Sequence, residues 1–289
     1  MIIERFAPSP TGLLHLGHAY SAWLAWKAAR DGNGRFLLRL EDLDQSRVRK
    51  EYVDAIKRDL TWLGLSWDGP ILMQSDRQDA YLSALDRLNA LGLTYPCLCT
   101  RRDILDAIAA PQEGAVGPDG PIYPGTCRDR DVGQTEAHAI RLNMGKTAEM
   151  LAGIKLSFEE LGTSPEGKSG TIEVDPVQLC QSSGDIVLKR RDGAIAYHLA
   201  VVVDDTFQQV THVTRGCDLF SATPIHRVLQ TVLDLPVPAY RHHALVRDKA
   251  GKRLAKRDDA RSIAAYREAG ETPGSVLTIA SDAAARPAA

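Results

Sequence analysis

Apolar residues recur in two rhythms along this chain, and the alternation between them predicts its architecture. Residues 1–6 are short, partly apolar and β-branched, which suits a buried first strand. From Leu16 the rhythm becomes helical, with Ala19, Ala22, Trp23 and Trp26 at three- and four-residue steps. It stops at Asp31-Gly32-Asn33-Gly34, a glycine-rich helix end. Residues 35–40 read as a second strand. Residues 48–63, with Val53, Ile56, Leu60 and Leu63 in helical register and Gly64 behind them, read as a helix, as do residues 78–91 before Gly92. Strand, helix, strand, helix is the order of an α/β protein with a parallel doubly wound sheet.

The rhythm breaks at Tyr95-Pro96-Cys97-Leu98-Cys99, and residues 111–125 are dense in glycine and proline. We read residues 96–184 as an insertion with its own small fold, residues 139–142 and 171–174 as its strands, residues 163–170 as a loop, and Cys180 as an ordinary thiol. The sheet pattern returns at residues 185–193, a strand followed by a turn. Residues 194–205, an apolar run closed by Asp204 and Asp205, and residues 212–216 read as buried strands. Arg215 stands at the end of the last of these. A buried guanidinium there is costly unless an anion meets it, either Asp204 or Asp205 or a ligand. Residues 218–233 read as a helix, and the chain from about residue 281 is expected to fray. The expected division is 1–95 and 185–238 for the two halves of the main domain, 96–184 for the insertion and 239–289 for a loop with a short helical C-terminal segment.

At 289 residues, 44% hydrophobic and 25% charged, the chain has the composition of a globular protein with an ample core. It has no apolar run of membrane-spanning length and no basic-then-apolar leader pattern, so a cytoplasmic location with no membrane partner is expected. Five cysteines without a secretory pattern point to reduced thiols or metal ligands. The net charge of −2 announces no nucleic-acid partner, but Lys189-Arg190-Arg191 and residues 247–257 are local basic clusters able to meet phosphates.

Candidate chemistry concentrates in Arg5-Phe6-Ala7-Pro8-Ser9-Pro10-Thr11-Gly12-Leu13-Leu14-His15-Leu16-Gly17-His18, a strand end, a rigid loop and a helix start. His15 and His18 share one face of a helix N-terminus, where free N–H groups and the dipole favour a phosphate. Glu41 ends the second strand, where ligands of α/β sheets bind, and a carboxylate there can take an ammonium. Asp42 and Asp44 can serve as caps for the next segment. Cys97, Cys99 and Cys127 supply three thiolates for a tetrahedral zinc that needs four ligands. His138 lies eleven residues beyond Cys127, outside the usual spacing, so the fourth ligand is Tyr123 or water, and three unligated cysteines are the alternative that spacing leaves open.

The Arg-x-Ala-Pro-Ser-Pro-Thr-Gly stretch with its two histidines resembles the first signature of class I aminoacyl-tRNA synthetases, in the form found in the glutamyl-tRNA synthetase group. The resemblance continues through Arg39-Leu40-Glu41-Asp42-Leu43-Asp44, the Asp-Gly-x-x-x-Tyr-x-x-x-Val-Val-Val-Asp-Asp series from Asp192 to Asp205, and Arg215-Gly216. Residues 247–257 resemble the second, lysine-containing signature in degenerate form, with Arg253 and Ala255 replacing usual residues and Lys256 retained. Cys-x-Cys…Tyr-x-x-x-Cys resembles the glutamyl-queuosine synthetases, truncated relatives of glutamyl-tRNA synthetase. About thirty residues follow the lysine loop, too few for the usual anticodon-binding region. His198 replaces the asparagine usual in full-length relatives, which implies an altered glutamate contact.

This resemblance implies a Rossmann-type catalytic domain with an inserted zinc-containing subdomain. It implies ATP-dependent, tRNA-independent activation of L-glutamate, followed by transfer to the queuosine base of tRNA(Asp), by a monomer. The roles it implies are His15, His18 and Lys256 in catalysis, and the same residues with Gly17 on ATP. Arg5, Ala7, Ser9, Glu41, Tyr197 and Arg215 would bind glutamate, and Cys97, Cys99, Tyr123 and Cys127 a structural Zn²⁺, with Mg²⁺ accompanying ATP. The rivals are charging of a 3′ terminal adenosine, ligation to a small acceptor, and a non-catalytic tRNA-binding module.

Overall fold

The computed structural model describes residues 1–100, 102–104, 116–117, 120–130, 137–248, 251, 254 and 261–287. The first half of the chain builds a parallel sheet. Strand β1 (Ile3–Phe6), buried at every position, leads through the proline loop into helix α1 (Leu16–Asp31) and returns as β2 (Arg35–Leu40). Helix α2 (Lys50–Trp62) carries the chain to the short β3 (Leu72–Met73), and all pairings in the order β1-β2-β3 are parallel. The turn before β2 requires glycine, since a Cβ on Gly34 would lie 1.9 Å from the Ile2 carbonyl oxygen.

Helix α3 (Gln78–Ala90) precedes β4 (Thr94–Cys97) and a two-residue hairpin of β5 (Val116–Gly117) and β6 (Gly120–Pro121). Next come β7 (Ala139–Leu142), α4 (Met144–Met150), β8 (Leu156–Glu160), β9 (Gly170–Val174), α5 (Pro176–Ser183) and β10 (Val187–Lys189). β7 pairs antiparallel with both β4 and β10. The chain closes with α6 (Tyr197–Phe207), β11 (His212–Gly216), α7 (Thr223–Val232), β12 (Ala239–His243), α8 (Ile263–Glu268) and α9 (Pro273–Ala284). A second sheet has the order β11-β12-β8-β9, its first three strands parallel and β9 antiparallel.

β11 runs beside β1. The Thr211 N–H bonds the Ile3 carbonyl at 3.0 Å, and the buried Glu4 carboxylate accepts from the Thr214 hydroxyl at 2.7 Å. The two strands point the same way but their connections lead in opposite directions, one toward β2 and the other toward β12, so a crevice opens beyond their carboxyl ends. Two cores support it. One packs the alanine face of α1 against β1, β2 and α9, and the other joins α3, α6 and α7 to the second sheet.

Three expectations require correction. Residues 194–205 do not form a strand; Tyr197 opens α6, which is buried through most of its length. An apolar run without periodicity fits a buried helix as well as a buried strand, and here the helix prevails. Residues 218–233 are two pieces, a 3₁₀ segment (Cys217–Ala222) and then α7, with Pro224 in its first turn, where a missing N–H costs nothing. The C-terminus does not fray at residue 281: α9 runs to Ala284, and Ala280, Ala283 and Ala284 are buried in the core that contains α1. Small residues on both helices allow that close packing.

Candidate active site

A cavity of about 340 Å³ occupies the crevice, lined by Arg5 to Ala7 from the end of β1, His15 and Gly17 from the start of α1, and Glu41 beyond β2. Tyr197 from α6, Thr214 to Gly216 from β11, and Leu245, Val246 and Leu254 complete much of its wall. Its size suits a small ligand. Ser9 and His198 line a neighbouring cavity that shares Glu41 and Tyr197 with the first. His18 lines neither cavity wall, but its ring lies against that of His15, tilted by 39° with centroids 3.8 Å apart.

The helix start fixes both imidazoles. His15 caps α1, its Nδ1 accepting the Gly17 N–H at 3.1 Å, while His18 Nδ1 accepts the His15 N–H at 3.2 Å. In the neutral rings both protons therefore sit on Nε2, as donors suited to phosphate oxygens. A Cβ on Gly17 would approach the His15 ring to 3.0 Å, so any larger residue there would press on the capping imidazole. Described residues within and beside 249–260 are tied to this place: Leu254 N–H bonds the Val246 carbonyl, Ile263 N–H bonds the Leu14 carbonyl, and His15 bridges Ser262. Lys256, Arg253 and Ala255 lie outside the described residues.

Two arginines reach the cavity from adjacent strands. Arg5, 5% exposed, donates its Nε to Asp205 at 3.1 Å, and its terminal nitrogens make no hydrogen bond within the described residues. Asp205 also receives Arg39. Burial would raise its carboxyl, but Arg5 and Arg39 hold it below the ordinary carboxylate range. Asp204 is committed to Gln74, Arg77 and Tyr81. The two acids considered as partners for Arg215 are thus engaged elsewhere. Arg215, also 5% exposed, instead donates to His242 Nε2 (3.1 Å), Tyr197 Oη (3.2 Å), His226 Nδ1 (3.4 Å) and Thr223 Oγ1 (2.6 Å). Burial first, and Arg215 next, keep His226 well below the ordinary imidazole value, so it is a neutral acceptor. No carboxylate among the described residues meets Arg215, and a ligand anion can.

Glu41 complements this charge. Its N–H is tied to the Pro8 carbonyl at 3.1 Å, and its carboxylate makes no side-chain hydrogen bond within the described residues. Enclosure by protein pushes the carboxyl up to about 7, against the pull of Arg39 and Arg5. Asp42 has a different task, accepting the Ser75 N–H at 2.8 Å and its hydroxyl at 2.6 Å. Asp44 holds Ser46 and Arg47.

Away from the cavity, the sulfurs of Cys97, Cys99 and Cys127 lie within 4.8 Å of one another. The Tyr123 hydroxyl stands 3.4 Å from both Cys97 and Cys99 Sγ, and Cys99 and Cys127 Sγ are 3.5 Å apart. Tetrahedral zinc with sulfur and oxygen ligands separates its donors by about 3.5–3.8 Å, so this donor set fits that ion. Thr223, His226, His242 and Glu160 gave no signal in the sequence, because only sheet register and helix packing bring them to Arg215.

The family model for "tRNA synthetases class I (E and Q), catalytic domain" matches residues 1–281. The chain is 52% identical over 280 residues to "Glutamyl-Q tRNA(Asp) synthetase" of Rhodobacter capsulatus, covering 95% of this chain and 98% of the relative. It is 44% identical over 287 residues to the protein of that name from Nocardia farcinica, covering 98% and 85%. Among solved structures it resembles a glutamate tRNA ligase from Elizabethkingia meningosepticum in complex with its amino acid (TM-score 0.73, 26% identity, 94% of this chain). The chain spans 58% of that ligase's length. The chain belongs to the class I tRNA synthetases of the E and Q type and is an ATP-dependent ligase.

Proposed function

We propose that this protein activates L-glutamate with ATP, without tRNA, and passes the glutamyl group to the queuosine base in the anticodon loop of tRNA(Asp). The observation that carries the first step is the convergence of two arginines and one uncommitted carboxylate on a single cavity. Arg5 and Arg215 complement the two carboxylates of glutamate, and Glu41 complements its ammonium. Tyr197, Ser9 and the Ala7 backbone supply the remaining polar surroundings. An α-carboxylate oxygen attacks the α-phosphorus of ATP, the bond to pyrophosphate breaks, and glutamyl-adenylate forms. This asks the protein for positioning and charge neutralisation. His15 and His18 at the helix start, with Gly17 between them, and Lys256 from the loop serve the triphosphate, with Mg²⁺ bound to ATP.

In the second step a hydroxyl of the acceptor attacks the glutamyl carbonyl and AMP leaves. The acceptor reading is supported by the names of relatives 42–52% identical to the chain. The reading further assigns Cys97, Cys99, Tyr123 and Cys127 to a structural Zn²⁺, a Rossmann-type domain to the doubly wound sheet, and the chain to the cytoplasm as a monomer. ATP–pyrophosphate exchange without tRNA tests activation. L-Glutamate is expected to drive exchange and L-aspartate and L-glutamine are not; no exchange with glutamate would favour the tRNA-binding module.

A further inference from the structure

We propose that Glu160 and His242 are positioning residues for Arg215: the buried carboxylate fixes the tautomer of the imidazole, and the imidazole aims the guanidinium at the substrate. The inference rests on reading Arg215 as a receptor for a glutamate carboxylate. Sheet register builds the array, since β11, β12 and β8 are neighbours, with Arg215 opposite His242 and Tyr240 opposite Glu160. Glu160, 1% exposed, accepts three N–H groups: from the His242 backbone (2.9 Å), the Gly162 backbone (2.8 Å) and His242 Nδ1 (2.5 Å). Burial would raise its carboxyl, but these bonds, the His242 ring foremost, hold it below the ordinary value.

An ionised Glu160 demands the His242 proton on Nδ1. Burial lowers the His242 pKa, so the ring is neutral near pH 7 and Nε2 presents a lone pair. Arg215 Nε donates to it at 3.1 Å, and the Thr223 hydroxyl lies 3.2 Å from the same nitrogen. The opposite tautomer would set an N–H against the guanidinium and a lone pair against the carboxylate. Neither Glu160 nor His242 lines the cavity; both stand behind Arg215. The chain makes room for the array at Gly162, where a Cβ would lie 2.2 Å from the His242 carbonyl oxygen and 2.9 Å from Glu160 Oε1. Glu160 precedes residues 161–169, so a segment distant in sequence sets the orientation of a substrate-binding group.

The test uses the full chain. In exchange assays Glu160→Gln is expected to raise the KM for L-glutamate at least tenfold, with the KM for ATP within twofold. His242→Gln, whose amide oxygen can replace Nε2 as acceptor, is expected to be less damaging than His242→Leu. Equal shifts in both KM values, or an unchanged glutamate KM in a folded Glu160→Gln protein, would overturn the proposal. Imidazole ¹⁵N spectra of the wild type give a readout independent of activity and of variant folding. A neutral His242 protonated on Nδ1 supports the array, and protonation on Nε2 refutes it. Absence of glutamate-driven exchange in the wild type would defeat the functional reading alone, leaving the spectra to judge the array.

Discussion

Replacing Glu41 by glutamine separates binding from stability at one atom pair. Glu41 lines the cavity together with Arg5 and Tyr197, and enclosure moves its carboxyl from an ordinary 4.5 to about 7. The ionised form receives the ammonium of glutamate, so binding requires loss of the proton. With a pKa near 7 the ionised fraction falls from about nine tenths at pH 8 to about one tenth at pH 6, and the glutamate KM should rise roughly tenfold over that interval. Glu41→Gln should raise KM throughout and remove this part of the pH dependence. Stability should move the other way. The folded carboxyl holds its proton more tightly than the unfolded one, so its contribution is most favourable below pH 4.5 and declines as pH rises toward 7. A shift of about 2.5 units corresponds to at most about 3 kcal/mol at pH 8, less whatever cavity water recovers. Thermal unfolding at pH 8 should show Glu41→Gln more stable than the wild type, with the gain disappearing near pH 4.5. A wild-type glutamate KM flat between pH 6 and 8, together with an unstabilised variant, would refute the assignment.

The other predictions follow the remaining groups. His18→Ala or Lys256→Ala should lower adenylate formation by about 10²-fold or more, as loss of a transition-state donor does, and wild-type exchange in either variant would rule the assignment out. Arg215→Lys should raise the glutamate KM by tenfold or more while sparing ATP, because an ammonium cannot reproduce four directed N–H bonds and also meet a carboxylate. Metal analysis after purification without chelator should find about one zinc per chain, and Cys127→Ser should lower both that content and the melting temperature; less than about half an equivalent in the wild type would contradict the site.

Legibility in the sequence follows the range of the interactions involved. β1, α1, β2, α2 and α3 were readable because their apolar spacing and glycine stops are local signals, and the observed boundaries lie within two residues of those expected for α2 and α3. The arginines, Glu41 and the two histidines were readable as motif positions at strand ends and a helix start. α6 was misread because a segment buried on nearly every side loses the periodicity that distinguishes helix from strand. The packing of α9 was missed for a related reason: alanines carry little pattern, and their use here depends on the alanine face of α1. The partner of Arg215 could not be inferred from charge, since Asp204 and Asp205 are held by Arg77, Arg5 and Arg39, while its actual neighbours are uncharged and arrive from α6, α7 and β12.

The proposed acceptor is tested most directly by offering labelled glutamate and ATP to two preparations of tRNA(Asp), one containing queuosine and one lacking it, and treating the products with periodate to probe the 3′ end. The account predicts label on the queuosine-containing tRNA alone, with the 3′ terminal ribose still open to oxidation. Equal labelling of both preparations, with a 3′ end protected from periodate, would contradict it and indicate charging of the terminal adenosine.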